Sequence, residues 1–370
     1  MRKFVLSMSF FGCLTLLNVS CQTEEETPKE ARVILITMDG LRWKELFTGA
    51  DSLLIAHAQY VQDSAALKSK FWRADPQARR KALMPFVWDS IATFGQLYGN
   101  REYDNKVDLT NQHFFSYPGY NEILTGTADD KRIHSNDKIN NPNITFLEKI
   151  ASLYPQQERV AAFGSWDVFP FIINEERSKI PVNAGFEIAH TLPLSEREAF
   201  LNTLQEQIPS PWGSVRLDAF THHFALEYLQ KQTPLLTYIA YGETDDFAHD
   251  GEYDAYLESA HTTDDFLKDL WAFTQKHPLY KNNTLFLVTT DHGRGMNTLD
   301  SWRSHGAAFP ETQQTWLMAY GKGIAPRGEM KEKQQWYNNQ IAASLLRFLG
   351  AEDLVTPKMG AALPFVEAPK

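Results

Sequence analysis

Val33-Ile34-Leu35-Ile36-Thr37-Met38-Asp39-Gly40 is an aliphatic run that ends in a carboxylate and a glycine. A run this apolar, with no polar alternation, suits a strand buried on both faces of a sheet. The pattern recurs twice. Leu235-Leu236-Thr237-Tyr238-Ile239-Ala240 leads to Asp245-Asp246-Phe247-Ala248-His249. Leu285-Phe286-Leu287-Val288 leads to Asp291-His292-Gly293, with Ser304-His305-Gly306 shortly beyond. Open α/β sheets gather their chemistry at the carboxyl ends of parallel strands. Three strands that each end in carboxylates and imidazoles therefore predict a metal site on that edge.

Core strands are expected at 33–38, 159–164, 235–241, 284–290 and 315–320. Helical spacing fills the intervals at 144–154, 214–231, 252–276 and 336–349. Thr145-Phe146-Leu147-Glu148 reads as a capping box, and Gly350 as a C-terminal stop. The fold class is α/β, with a largely parallel central sheet and helices on both faces. With 370 residues, 43% of them hydrophobic, the chain can bury a full core. One domain is expected over 32–350, and residues 351–370 form a tail packed on it. Residues 51–105 and 165–212 break the alternation and read as insertions leaning over the active edge. The nine tryptophans read as core and lid packing.

The formal net charge is −10, and the first twenty residues add only the cations Arg2 and Lys3. Such a surface repels polyanions, so nucleic acid is not an expected partner. Arg2-Lys3 followed by the apolar stretch Phe4 to Val19 reads as a secretory signal over residues 1–20. Leu17-Asn18-Val19-Ser20-Cys21 resembles a bacterial lipoprotein cleavage site, with Cys21 taking the lipid, although Asn18 departs from the aliphatic residue usual there. An ordinary signal peptide cut nearby, or a short anchor, is the competing reading. The stretch is short of the 20 or so residues that a membrane span needs. Residues 21–31 form a polar tether. Cys13 and Cys21 are the only cysteines, so the exported chain has no internal disulfide. The expected location is the bacterial cell envelope, in the periplasm or on the outer surface, with membrane contact only through the lipid.

Three aspartates and three histidines without a thiolate suit zinc or another borderline divalent ion. Six side chains exceed the three that a catalytic zinc usually takes, so two ions are expected, zinc with manganese as the alternative. Asp245 and His249 can meet one ion on a turn of helix, since positions i and i+4 share a face. Residues 115–126 read Phe-Ser-Tyr-Pro-Gly-Tyr-Asn-Glu-Ile-Leu-Thr-Gly. Pro118 suits a first helical turn and Gly126 its end, which puts Ser116 at a helix N-terminus where anions are favoured. An isolated serine there is a helix cap. Beside a divalent ion it becomes a nucleophile.

The ordered set resembles the alkaline phosphatase superfamily, and within it the type I phosphodiesterase/nucleotide pyrophosphatase branch. The matching pieces are Asp39-Gly40, Ser116-Tyr117-Pro118 with Thr125-Gly126, Asp245 to His249, Asp291-His292-Gly293 and His305-Gly306. The resemblance implies that Asp245, His249 and His305 hold one metal. It implies that Asp39, Asp291 and His292 hold the other, which also binds Ser116. Asp246 competes with Asp245 at a spacing of three. Asn136 matches a phosphate-contacting position, with Asn140 and Asn141 as alternatives. Gly119-Tyr120 departs from the Asn-His of that branch. The sulfatase pattern needs Arg where Tyr120 stands, and the Asp-Ser-Ala of the classical monoesterases is absent.

The implied activity is hydrolysis of a small phosphate monoester or diester through a phospho-serine intermediate. A phosphoryl or phospho-alcohol transferase or mutase is the enzymatic alternative. A non-catalytic metal-binding surface lipoprotein is the other. Among neighbouring residues, Glu243 and Asp250 are expected to orient the ligand pair. Arg294 is expected near phosphate or a surface acid, and Trp302-Arg303 beside the pocket.

Overall fold

A computed structural model describes residues 30–367, with Met1 besides. The signal peptide, Cys21 and most of the tether lie outside the described residues. The described residues form eleven strands: β1 (Arg32–Met38), β2 (Gly95–Tyr98), β3 (Asn105–Asp108), β4 (Val160–Gly164), β5 (Val182–Ala184), β6 (Leu236–Tyr241), β7 (Thr284–Thr289), β8 (Gln314–Thr315), β9 (Leu317–Gly321), β10 (Gly328–Glu329) and β11 (Gln334–Tyr337). Eight of them form one sheet in the order β10-β2-β9-β7-β1-β6-β4-β5. The block from β7 to β5 is wholly parallel. Among the eight, only β9 runs against the others, antiparallel to both β7 and β2. β11, β3 and β8 form a small second sheet.

β1 is central, with Val33 paired to Leu236 on one side and Leu285 on the other. Every residue of β1, β6 and β7 is buried. Alternate side chains feed two cores. Ile34, Ile36 and Met38 pack with Tyr256, Leu257 and Leu267 of the helix Tyr253–Lys276 and with Phe224 of Asp218–Gln232. Val33 and Leu35 pack with Ile123 and Leu124 of Ser116–Thr125, Leu147 of Phe146–Ala151 and Leu345 of Ile341–Phe348. Helices thus cover both faces. Thr145 caps its helix by accepting from the Glu148 N–H, and Ser195 does the same for Glu196–Gln207 in a full capping box.

The two segments read as insertions each carry a strand of the large sheet, β2 in one and β5 in the other. Leu54, Phe71, Leu83 and Val87 of the first join the core with Ile36, so this stretch covers a sheet face. Near the C-terminus, Gly360 donates to the Gly126 carbonyl, and Leu363 and Val366 are buried. No helix among the described residues is long and apolar enough to cross a membrane.

Ile36 is fully buried at the middle of β1. Ile36→Ala is expected to cost about 2–5 kcal/mol, read as a lower urea midpoint at unchanged slope. A cost below about 1 kcal/mol would contradict the central placement.

Candidate metal centre

β1, β6 and β7 are in register, so their carboxyl ends deliver side chains to one place. Asp39 follows Met38 directly and stays on the sheet edge, its N–H donating to the Tyr241 carbonyl. Gly40 turns the chain with φ +59°. A Cβ there would lie 2.8 Å from Asp245 Oδ1 and 3.2 Å from His292 Cε1, so only glycine fits between these ligands. Its N–H donates to Asp291 Oδ1 at 3.2 Å. The helix Glu243–Asp250 begins after Gly242 and carries Asp245 and His249 one turn apart.

His292 sits at the centre. Its Nε2 is 3.3 Å from Asp39 Oδ1, 3.4 Å from Asp291 Oδ2 and 3.8 Å from Asp245 Oδ1. Ser116 Oγ is 3.3 Å from the same nitrogen. The Nδ1 lies 2.9 Å from the Gly293 carbonyl, which can only accept, so Nδ1 carries the proton and Nε2 the lone pair. Asp39, Asp291 and His292 form one buried group of ligand atoms. Asp245, His305 and His249 form the other. Here His249 Nε2 is 3.1 Å from Asp245 Oδ2 and 2.9 Å from His305 Nε2, and His305 Nε2 is 3.6 Å from Asp245 Oδ1. His292 also reaches this second group. The His249 side chain is 44% exposed, so the second group opens to solvent.

The residues fit divalent cations on three counts. All donors are carboxylate oxygens and imidazole nitrogens. The ligand atoms of Asp39, Asp291 and His292 lie within 4.8 Å of one another, as do those of Asp245, His292 and His305. Asp39 Oδ1 and Asp291 Oδ2 are buried without a protein partner, while the other oxygen of each accepts from Tyr120 or Gly40. The electrostatics separate the groups. Burial, then Asp291 and Asp245, raise the Asp39 carboxyl well above its usual range. Burial raises Asp291 to about 6. Burial also pushes Asp245 up, but the Arg294 guanidinium overrides it and holds this carboxyl well below the usual range. His305 is held neutral by burial and by His292.

Ser116 opens the helix Ser116–Thr125 and is buried. The Tyr117 N–H donates to Asn136 Oδ1 at 3.0 Å, which brings the exposed Asn136 to the helix start. Asn140 and Asn141 are occupied elsewhere. The first donates to Glu176, the second to Asn121 and the Ile172 carbonyl. Asp246 stands among acids, raised to about 8 by burial and by Asp245 and Asp218. Glu243 accepts from the Asp218 N–H and Asp250 from Trp212 Nε1, so neither bonds to the ligand pair as the sequence suggested. Trp302 is core, wedged against Tyr60, Tyr253 and Tyr256. Arg303 donates to the His249 carbonyl.

Three functional contacts escaped the sequence reading. Arg294 Nη2 donates to the Asp245 carboxylate at 2.7 Å and to its carbonyl at 2.8 Å. Nε and Nη1 of Arg294 are left without a protein partner. Tyr120 donates to Asp39 Oδ2 at 2.7 Å. Glu122 accepts from the Thr110 and Asn111 N–H groups, and Asn111 Oδ1 accepts from the His113 and Phe114 N–H groups. That bracket holds Phe114 at φ +54°, a backbone strain of about 1–3 kcal/mol, two residues before Ser116. The departure at Gly119-Tyr120 was a signal for one of these contacts.

This largely parallel α/β sheet with helices on both faces is an alkaline-phosphatase-like fold. One similar solved structure is a protein in that superfamily from Vibrio parahaemolyticus, 13% identical at TM-score 0.51, over 87% of this chain and 67% of that one. The lipoteichoic acid synthase LtaP from Listeria monocytogenes is 10% identical at TM-score 0.56, over 91% and 76%. The phosphonate monoester hydrolase SpPMH from Silicibacter pomeroyi is 15% identical at TM-score 0.53, over 92% and 77%. No protein-family model and no curated protein matches the sequence.

The two groups should differ in acid. A raised pKa means a carboxyl protonated below that value, so protons compete with a cation at Asp291 as pH falls through about 6, and at Asp39, whose carboxyl is raised too. Asp245 stays ionised there. Equilibrium zinc content between pH 8 and 5 should fall in two steps, the Asp39 group emptying first. Release of all zinc in one step would contradict this order.

Proposed function

We propose that this protein is a metal-dependent hydrolase of phosphate esters in which Ser116 is the nucleophile. The observation that carries this reading is the position of Ser116 Oγ, 3.3 Å from Nε2 of His292, the residue the two ligand groups share, at the first turn of a buried helix. Divalent cations, when bound, ease loss of the serine proton and neutralise charge on the phosphoryl oxygens. The positive end of the helix dipole draws the phosphoryl group to Ser116. Asn136 Nδ2 has no protein partner among the described residues and is free to donate to a phosphoryl oxygen. Ser116 Oγ attacks phosphorus, the alcohol leaves, and a phospho-serine forms. Water then attacks phosphorus, the bond to Oγ breaks with its proton returned to the serine, and phosphate departs from a monoester substrate or a phosphate monoester from a diester.

Phosphate is favoured over sulfate because Tyr120 stands where the sulfatase pattern has its Arg. Its hydroxyl is committed to Asp39, so no guanidinium serves a modified nucleophile there. Transfer to an acceptor alcohol would share the Ser116 step, and product analysis with added glycerol separates the two. A purely structural metal role fits poorly, since structural zinc sites are closed and His249 is open to solvent. The substrate is then a small ester met outside the cytoplasm, with the enzyme tethered at Cys21.

Purified protein should hydrolyse p-nitrophenyl phosphate or its bis ester, lose that activity with EDTA and regain it with zinc. Failure on both esters with zinc bound would remove the hydrolase reading. Ser116→Ala should lower kcat by roughly 10³-fold or more while zinc content stays unchanged. Near-full activity in that variant would end the covalent mechanism.

A further inference from the structure

The helix Ser116–Thr125 touches the metal centre twice. Ser116 is the first contact. One turn later, Tyr120 presents its hydroxyl to Asp39 Oδ2 at 2.7 Å. Tyr120 is fully buried, with Phe169 edge-on to its ring at 4.8 Å, so the phenol has one available orientation. The phenol O–H donates to this carboxylate, which can only accept. The effect on Asp39 is specific. Oδ2 is taken, and Oδ1 is left buried, without a protein partner, 3.3 Å from His292 Nε2.

Gly119 makes the contact possible. A Cβ at this position would lie 2.3 Å from the Asp291 carbonyl oxygen. The Asn of the resembling branch cannot occupy this backbone. The helix lies so close to the end of β7 that only glycine separates it from a second ligand. Gly119 and Tyr120 therefore act together. The first lets the helix approach, and the second uses that approach to grip Asp39.

We propose that Tyr120 is a positioning residue that makes Asp39 a one-oxygen ligand and ties the helix bearing Ser116 to the cation at Asp39, Asp291 and His292. This rests on the reading that those three residues hold a divalent cation. Partners of this kind set ligand orientation, and their removal typically weakens metal affinity about 10–100-fold.

The test is zinc affinity, measured by chelator competition on the full mature chain, without reference to turnover. Tyr120→Phe removes one oxygen atom. Tyr238→Phe is the control, because its equally buried hydroxyl bonds to Thr37 Oγ1 and touches no ligand. Tyr120→Phe should bind one zinc as the parent does and the other about 10–100-fold more weakly, and Tyr238→Phe should match the parent. In an Asp39→Asn background, Tyr120→Phe should add no further loss, because the effect runs through Asp39. Parent-like affinity at both sites in Tyr120→Phe overturns the proposal. So does an additive loss in the double variant, or a Tyr120→Phe chain whose circular dichroism shows lost fold, since the role would then be structural. A parent protein that binds no zinc refutes the underlying metal reading instead.

Discussion

Three carboxylates share one small, mostly dry space at the end of the sheet. Two like charges 4 Å apart repel by about 4 kcal/mol at an effective dielectric near 20, before the cost of removing each from water. Asp39, Asp291 and Asp245 must be offset by something, and the surrounding structure is arranged to do so. Asp291 receives the Gly40 N–H, Asp39 the Tyr120 hydroxyl, and Asp245 the Arg294 guanidinium. Only the last carries full positive charge, which is why Asp245 alone is held ionised while the other two are pushed up. The remaining imbalance at Asp39 and Asp291 is what a cation would relieve, and their two unpartnered oxygens face that place.

This uneven compensation gives the two ligand groups different characters. The Asp39 group is buried, negative and poor in hydrogen-bond partners. The Asp245 group has its own guanidinium and an imidazole open to solvent. Ser116 lies against the His292 that they share.

The parallel core was legible because strands buried on both faces leave nothing but aliphatic residues between their ends. β1, β6 and β7 could be read almost to the residue for that reason. β2 and β5 could not, since runs of four and three residues carry no period and sit inside stretches rich in charge and proline. The reversed direction of β9 is also silent in sequence, as an apolar strand reads the same in either sense. Among site residues, the metal-ligand types stood out because few side chains can serve and all follow strand ends. Their partners did not. Arg294 was expected near phosphate or a surface acid, and its burial against Asp245 depends on how the loop after β7 folds back across the helix Glu243–Asp250. Glu243 and Asp250 looked better placed by number and point elsewhere.

The helix Ser116–Thr125 shows why such partners matter to chemistry. All ten of its residues are buried. Ser116 faces the ligand groups, Tyr120 holds Asp39, and Glu122 braces the loop that delivers the chain into the helix through the strained Phe114. These three contacts fall within two turns of one rigid element, so the proposed nucleophile and a proposed metal ligand are held together. Catalysis by positioning is lost when reacting groups drift by about 1 Å. A fold that places them on separate loops must control that drift loop by loop. Here one packed helix does so, and the close approach at Gly119 is the condition on which it depends.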